Sequence, residues 1–183
     1  MDIGPATAAD TVVILDLVRA AFGEEGDRVA GLVRALVEER GRSSALRASL
    51  VAREPGGRLA GHVALTRGWL DADRRLVELL VLSPLSVRPD LQRRGVGRAL
   101  VDAAADEAER LGAPLVLLEG DPAYYRRLGF QPAARHGLVR PSVRIPEPAC
   151  QVRLLPAHED WMTGALVYPD VFWRLDLVGL GPG

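Results

Sequence analysis

A short basic segment with two glycines offers the clearest chemistry in the sequence. It reads Gln92-Arg93-Arg94-Gly95-Val96-Gly97-Arg98 and stands between an apolar run and a strongly helical stretch. The first amides of a helix have no intrahelical partner and lie at the positive end of the helix dipole, so they favour a phosphate or diphosphate. The glycines let the backbone approach such a group, and the arginines add positive charge. The segment therefore predicts a diphosphate-binding turn made mainly of backbone N–H groups.

The elements on either side of this segment are predicted to be a strand, a helix and a second strand. An apolar run at 76–87 predicts a long central strand, apolar positions at helical spacing predict a helix over 95–111, and Leu115-Val116-Leu117-Leu118 predicts a buried parallel strand. Strand, helix and strand form a right-handed crossover unit. Pro84 lies within the first strand, and because proline cannot donate to the ladder we expect a bulge or a splay there.

The rest of the chain supplies further helices and strands. We expect a short first strand at 3–6, a helix over 8–22 that Gly23 and Gly26 break, and a second helix from about Val29 that Gly41 stops. A turn signal at 54–58 joins strands 49–53 and 59–69 into a hairpin, and 71–75 makes another turn. The remaining predictions are a short helix ending at Gly129, a loop at 141–148, strands at 150–155 and 163–168, and a frayed tail at 179–183.

Length and composition favour one folded domain spanning 1–183, with 136–183 as a loop and strand extension. The chain has 183 residues, 48% of them hydrophobic and 26% charged, a composition that is globular rather than disordered. Its net charge of −1 gives no general attraction to nucleic acid. The single cysteine, Cys150, cannot form an internal disulfide, and neither a leader segment nor a long apolar run is visible. We therefore expect a cytoplasmic protein without membrane or nucleic-acid partners.

Two sequence signatures, in this order, resemble the GNAT (GCN5-related N-acetyltransferase) superfamily. The segment Gln92–Gly97 is similar to the family pattern Q/R-x-x-G-x-G/A, and Tyr125-Arg126-Arg127-Leu128-Gly129-Phe130 is similar to its Y-x-x-x-G-F pattern. The longer form G-D-P-x-Y-Y-x-R-x-G-F resembles a less studied bacterial subgroup. The resemblance implies an α/β fold of GNAT type, with a mixed, splayed central sheet and helices on both faces.

The resemblance also implies acetyl-CoA as the acyl donor. No metal is expected, because one cysteine and three scattered histidines give no zinc-like ligand spacing. Leu85, Ser86 and Val87 would hydrogen-bond the pantetheine arm through their backbone. The amides from Arg93 to Arg98 would take the diphosphate, and Gln92 is counted among the residues that bind the donor. Where the family often has an asparagine, seven residues before the tyrosine, this chain has Leu118, so no asparagine contact is assigned.

For proton transfer, the resemblance points to one residue as the general acid but leaves the general base open. Tyr125 stands where the family often has the general acid that protonates the departing thiolate, and a phenol of ordinary pKa is protonated at neutral pH. Packing or hydrogen bonding without proton transfer is the alternative for this residue. Glu78, Glu119 and His62 lie on or beside predicted strands and are candidates for the general base, among which the sequence does not choose. Direct attack of an amine that arrives neutral would need no base.

Three functions remain open at this point. The first is transfer of an acetyl group from acetyl-CoA to an amine, most simply of a small molecule, by direct attack in a ternary complex. The second is an acyl-CoA-binding sensor or interaction module with little transfer activity, since every clear feature concerns the donor. The third is a peptide or protein N-acetyltransferase. The late strands can complete a homodimer as readily as they can cover a cleft.

Overall fold

The computed structural model describes residues 1–39 and 45–179. Strands and helices are interspersed along the chain in a mixed α/β fold. The helices are α1 (Thr11–Phe22), α2 (Gly26–Glu38), α3 (Val96–Arg110), α4 (Pro122–Tyr125) and α5 (Asp170–Arg174). The strands are β1 (Asp2–Pro5), β2 (Leu46–Arg53), β3 (Leu59–Ala72), β4 (Leu76–Val87), β5 (Leu115–Glu119), β6 (Gln131–Pro132), β7 (Leu138–Val139), β8 (Cys150–Leu154) and β9 (Gly164–Val167).

The chain divides into two compact units. Unit 1 comprises Met1–Leu65 and Leu82–Asp106, and unit 2 comprises Thr66–Val81 and the chain from Glu107 onward. Each of the strands β3 and β4 contributes residues to both units. The single domain expected from the length of the chain stays a prediction.

In unit 1, helices α1 and α2 pack together on strands β2 and β3. Their apolar faces meet at residues such as Leu17, Val18 and Val33, with Val51 from β2 in the same cluster. Gly26 permits this close packing, because a Cβ atom at that position would lie 2.5 Å from the carbonyl oxygen of Arg19. Burial of this apolar stripe is what stabilises the two short helices, which would be marginal in isolation.

The structure corrects the starts of two helices in unit 1. Helix α1 begins at Thr11 rather than at residue 8, since Ala8–Asp10 forms a 3-10 turn before it. Gly23, with φ of +55°, ends α1, whereas Gly26 is the first residue of α2 and does not break a helix. The predicted stop at Gly41 lies outside the described residues.

The strands of unit 2 form a mixed sheet, as predicted. β4 and β5 are parallel, with Leu80 opposite Val116, and β5 is antiparallel to β8 along all five of its residues. β4 pairs with β5 at only two positions. Such short pairing is consistent with the splay expected near Pro84. Pro84 is buried in β4 and follows a cis peptide bond.

The later part of unit 2 departs from the sequence prediction. β9 pairs antiparallel with β3, which continues to Ala72 rather than stopping at residue 69. The short strands β6 and β7 and the helix α5 were not predicted, because two-residue strands and a five-residue helix carry too little periodicity to be recognised. Gly179 is hydrogen-bonded to Glu119 rather than frayed, and the predicted tail beyond it lies outside the described residues.

Candidate active site

The carboxyl end of β4 carries the three residues predicted to bind the donor arm. Leu85 and Val87 are half-buried, and Ser86, which points the other way along the strand, is 1% exposed. The Ser86 Oγ atom is buried and has no hydrogen-bond partner among the described residues. β3 lies along one edge of this segment, since the Arg88 N–H donates to the Ala60 carbonyl oxygen at 3.0 Å.

The turn after β4 folds the backbone into two left-handed positions. Arg93 has φ of +59° and Gly95 has φ of +87°, whereas Arg94 between them does not have positive φ. Alternation of this kind directs neighbouring N–H groups toward one point, as in the anion-binding concavities called nests. The Gln92 side chain ties the turn to the strand, because its Nε2 donates to the Val87 carbonyl oxygen at 3.3 Å.

Helix α3 begins directly after this turn. Val96, Gly97 and Arg98 form its first turn, and their N–H groups have no carbonyl four residues earlier within the helix to bond. The first intrahelical bond joins the Ala99 N–H to the Gly95 carbonyl oxygen at 3.0 Å. The unpaired amides and the helix dipole therefore coincide with the basic segment, as the sequence predicted.

The arginines of the segment differ in their partners. Arg93 and Arg94 are exposed, and within the described part of the chain neither forms an ion pair. Arg98 lies 3.6 Å from the carboxylate of Asp102 one turn later in α3. Two exposed guanidinium groups are thus available to an anion at the start of α3, and solvent screening makes each worth only a modest free energy.

Gly61 sets how closely α3 approaches the end of β4, and sequence reasoning did not identify it. A Cβ atom at this position would lie 2.9 Å from the Ser86 carbonyl oxygen and 2.7 Å from the Leu100 Cδ1 atom. Only glycine leaves room for both neighbours. A glycine inside a strand pattern is the sequence signal that could have pointed to such a close approach.

Tyr125 is the last residue of α4, and its position is fixed on several sides. Asp121 caps the helix by accepting a hydrogen bond from the Ala123 N–H at 2.8 Å. The Tyr125 ring packs edge-on against the rings of Tyr124 and Phe130, with centroids 4.9 and 5.6 Å away. Burial, followed by the nearby Tyr124 and Asp121, raises the pKa of the Tyr125 phenol, which therefore stays protonated across the physiological range.

Gly120 provides the space that the Tyr125 ring occupies, and sequence reasoning missed this role as well. A Cβ atom on Gly120 would lie 2.3 Å from the Tyr125 Cε2 atom. The backbone of Gly120 is held on both sides, because its N–H donates to the Ala149 carbonyl oxygen and its carbonyl oxygen accepts from Gln151 Nε2. Its place directly before an Asp-Pro helix start is the only signal in the sequence.

Glu119 is the last residue of β5 and one of the three candidates for the general base. One carboxylate oxygen, Oε2, accepts a hydrogen bond from the Gly179 N–H at 3.1 Å. The other, Oε1, is buried and unpartnered among the described residues. Burial raises the pKa of this carboxyl, although the Gly179 N–H and Arg144 act against that shift. Burial, followed by the charge of Glu119, raises the pKa of the Tyr168 phenol.

The other two base candidates have different surroundings. His62 on β3 is 1% exposed, and burial lowers its pKa to about 4, so its imidazole is neutral at pH 7. Its Nε2 atom lies 2.9 Å from Ser49 Oγ, and its buried Nδ1 atom has no partner among the described residues. Glu78, on the first half of β4, is half-buried and interacts with its neighbours.

The predicted residues fall into two groups by unit. His62, the end of β4 and the segment from Gln92 to Arg98 belong to unit 1, whereas Glu78, Glu119 and Tyr125 belong to unit 2. The described residues contain no group of three or more His, Cys, Asp or Glu side chains arranged to hold a metal ion. Nor does any helix in residues 1–39 or 45–179 combine the length and apolarity needed to cross a membrane.

Comparison with known proteins places this arrangement in a family. Residues 45–132 match the family described as the acetyltransferase (GNAT) domain. The uncharacterized N-acetyltransferase YhbS of Escherichia coli is 34% identical over 161 residues, which cover 86% of this chain and 90% of YhbS. A second E. coli relative, the uncharacterized N-acetyltransferase YjhQ, is 32% identical over 126 residues, or 69% of this chain and 67% of that protein.

Solved structures agree with the sequence comparison. The crystal structure of E. coli YhbS in complex with CoA superposes with a TM-score of 0.81 at 30% identity, covering 94% of this chain and 92% of that one. A GNAT family acetyltransferase from Brucella melitensis in complex with acetyl-CoA gives 0.73 at 26% identity, covering 93% and 97%. With the two left-handed positions before α3 and the capped tyrosine helix after β5, these likenesses show that the chain belongs to the GNAT family of N-acetyltransferases.

Proposed function

We propose that this acetyl-CoA-dependent N-acetyltransferase transfers the acetyl group to an amine of a small molecule, by direct attack in a ternary complex. The observation that carries the donor side is the turn before α3, where two left-handed residues and an unpaired first helical turn create a concentration of N–H groups. The CoA and acetyl-CoA complexes of the two similar GNAT structures support the same donor here.

We assign the binding of acetyl-CoA mainly to backbone groups rather than to side chains. The amides of Arg93–Arg98 take the diphosphate, while Arg93 and Arg94 add positive charge. Leu85, Ser86 and Val87 offer their backbone groups to the pantetheine arm in the manner of a neighbouring strand. Side-chain changes at exposed positions of such a site should therefore weaken donor binding less than a change in the course of the backbone.

Tyr125 is proposed as the general acid. The amine nitrogen attacks the thioester carbonyl carbon, the carbon–sulfur bond breaks, and the thiolate takes a proton from the phenol. The proton that the amine loses passes to the general base, and the phenolate regains a proton through solvent. A phenol whose pKa burial has raised is a weaker acid, but it is always protonated when the thiolate forms. Because the ring is held by its neighbours, the phenol is a proton donor with a fixed position.

Of the three base candidates, Glu119 has the most support. Its Oε1 atom has no partner among the described residues, and its raised pKa moves the carboxyl toward the neutral range in which a general base is most effective. His62, with a pKa of about 4, is a weak base, and Glu78 already has partners. The cytoplasmic location and a homodimer both stay predictions.

A pair of tyrosine variants tests the assignment of the acid. Tyr125→Phe should lower kcat by about 100-fold or more while the KM for acetyl-CoA changes by less than about threefold, because general acids typically contribute factors of 10² to 10⁴. Tyr124→Phe makes the same chemical change at the exposed neighbouring ring and should leave kcat nearly unchanged. Equal losses in the two variants, or a loss confined to donor KM, would remove Tyr125 from the role.

A further inference from the structure

An open pocket of about 560 Å³ lies in unit 2 and includes none of the residues assigned to the donor, the acid or the base. It is lined by residues of α4 and the turn after it, by the segment 129–135, and by Gln151 of β8. Pockets that bind small molecules typically measure about 300–1,000 Å³. The pocket therefore has the size of a binding site.

The inner surface of the pocket is fixed by two buried residues. Phe130 and Gln151 are each 1% exposed. The Gln151 Nε2 atom donates to the Gly120 carbonyl oxygen at 3.1 Å, and the Phe130 ring packs against Tyr125. With Ala123 and Pro132, these side chains offer a largely apolar surface whose polar group is held in one orientation. Such a surface suits the apolar body of a ligand.

Two arginines give the pocket its charge. Arg126 and Arg135 both line it, and no acidic residue does. Across residues 1–39 and 45–179, no ion pair joins either guanidinium group to a carboxylate, although other exposed arginines such as Arg110 and Arg174 are paired. A guanidinium group binds carboxylate or phosphate oxygens through two parallel hydrogen bonds, which gives both charge and geometric recognition.

We propose that this pocket, with Phe130 and Gln151 inside and Arg126 and Arg135 lining it, binds a small organic anion. The ligand has an apolar body that contacts Phe130, Ala123 and Pro132, and ends in a carboxylate or phosphate group that the two arginines bind. The site is separate in composition from the turn before α3, so its occupation does not depend on the proposed transfer reaction.

The test is a ligand-observed NMR titration of the full chain without CoA, with benzoate and phenyl phosphate as probes and benzyl alcohol as the uncharged analogue. At least one anion should bind saturably, whereas the alcohol should bind at least about tenfold more weakly. Arg126→Ala and Arg135→Ala should each weaken the bound anion about tenfold, which is the loss expected for one charge-assisted pair. The anion with the lower Kd identifies the head group.

A neighbouring arginine supplies the matched control. Arg127→Ala removes the same charge from the adjacent residue, which does not line the pocket, and should change the Kd by less than about twofold because exposed charges are screened. Absence of saturable binding, equal binding of benzyl alcohol, or an equal effect of Arg127→Ala would each overturn the proposal. Competitive displacement of the probe by acetyl-CoA would overturn it too, since the pocket would then belong to the donor.

Discussion

Replacing Gly120 by alanine should displace the ring of Tyr125. The added Cβ atom would lie 2.3 Å from Cε2 and 2.8 Å from Cδ2 of that ring. Carbon atoms reach their optimal separation at about 3.5 Å, so the closer pair is about 1.2 Å too near. Gly120 does not have positive φ, so alanine fits its backbone and the overlap is the only cost.

Neither side of this contact can move freely. The Gly120 backbone is hydrogen-bonded at both its N–H and its carbonyl group, and the Tyr125 ring is packed between Tyr124 and Phe130. Overpacking of this kind lowers the free energy of unfolding by about 1–3 kcal/mol. A catalytic group misplaced by about 1 Å can lower turnover about 100-fold, so kcat should fall by a similar factor if Tyr125 is the acid.

The assay combines urea unfolding with steady-state kinetics. Gly31→Ala is the matched control, because a Cβ atom on Gly31 meets nothing within 4 Å, and helix propensity predicts a gain of about 0.5–1 kcal/mol there. In a Tyr125→Ala background, Gly120→Ala should cost little, since the overlapping ring is gone. The reasoning is wrong if Gly120→Ala and Gly31→Ala have the same effects on the free energy of unfolding and on kcat. It is also wrong if Gly120→Ala lowers the free energy of unfolding equally in the wild-type and the Tyr125→Ala backgrounds.

Two further predictions concern the turn before α3 and the proposed base. Arg93→Gly should raise the free energy of unfolding by about 0.5–1 kcal/mol, because glycine adopts positive φ without strain. The same variant should raise the KM for acetyl-CoA, because a positive charge is lost. Arg94→Gly, at a residue without positive φ, should instead lower the free energy of unfolding. Burial raises the folded-state pKa of Glu119, so the free energy of unfolding of the wild type should fall as pH rises from the unfolded-state pKa through the raised one. Glu119→Gln should lack this loss of stability. Urea unfolding of both proteins at pH 5 and pH 8 measures the difference.

The central part of the fold could be predicted because apolar runs there are bounded by strong turn residues. β4 occupies Leu76–Val87 as expected, and α3 differs from its prediction by one residue at each end. The pairing of β9 with β3 could not be predicted, because strand partners far apart in sequence are chosen by packing across the whole fold.

The backbone of the proposed donor site was predicted more completely than the surroundings of the proposed acid and base. Glycine spacing indicated the turn before α3, but nothing in the sequence marks Arg93 as left-handed, since arginine has no preference for that conformation. The surroundings of Glu119 depend on Gly179, which lies 60 residues away in sequence. Burial of a carboxyl by such a distant segment follows only from the folded structure.

The most direct test of the proposed function is acceptor-dependent release of free CoA from acetyl-CoA by the purified protein. Polyamines, amino acids, aminoglycosides and peptides should be screened as acceptors, with Tyr125→Phe assayed in parallel. We predict release with one class of small amine and a loss of about 100-fold in the variant. Calorimetric binding of acetyl-CoA without release for any acceptor would contradict the transfer reaction and favour a sensor, and absence of binding would contradict the assignment of the Gln92–Arg98 turn.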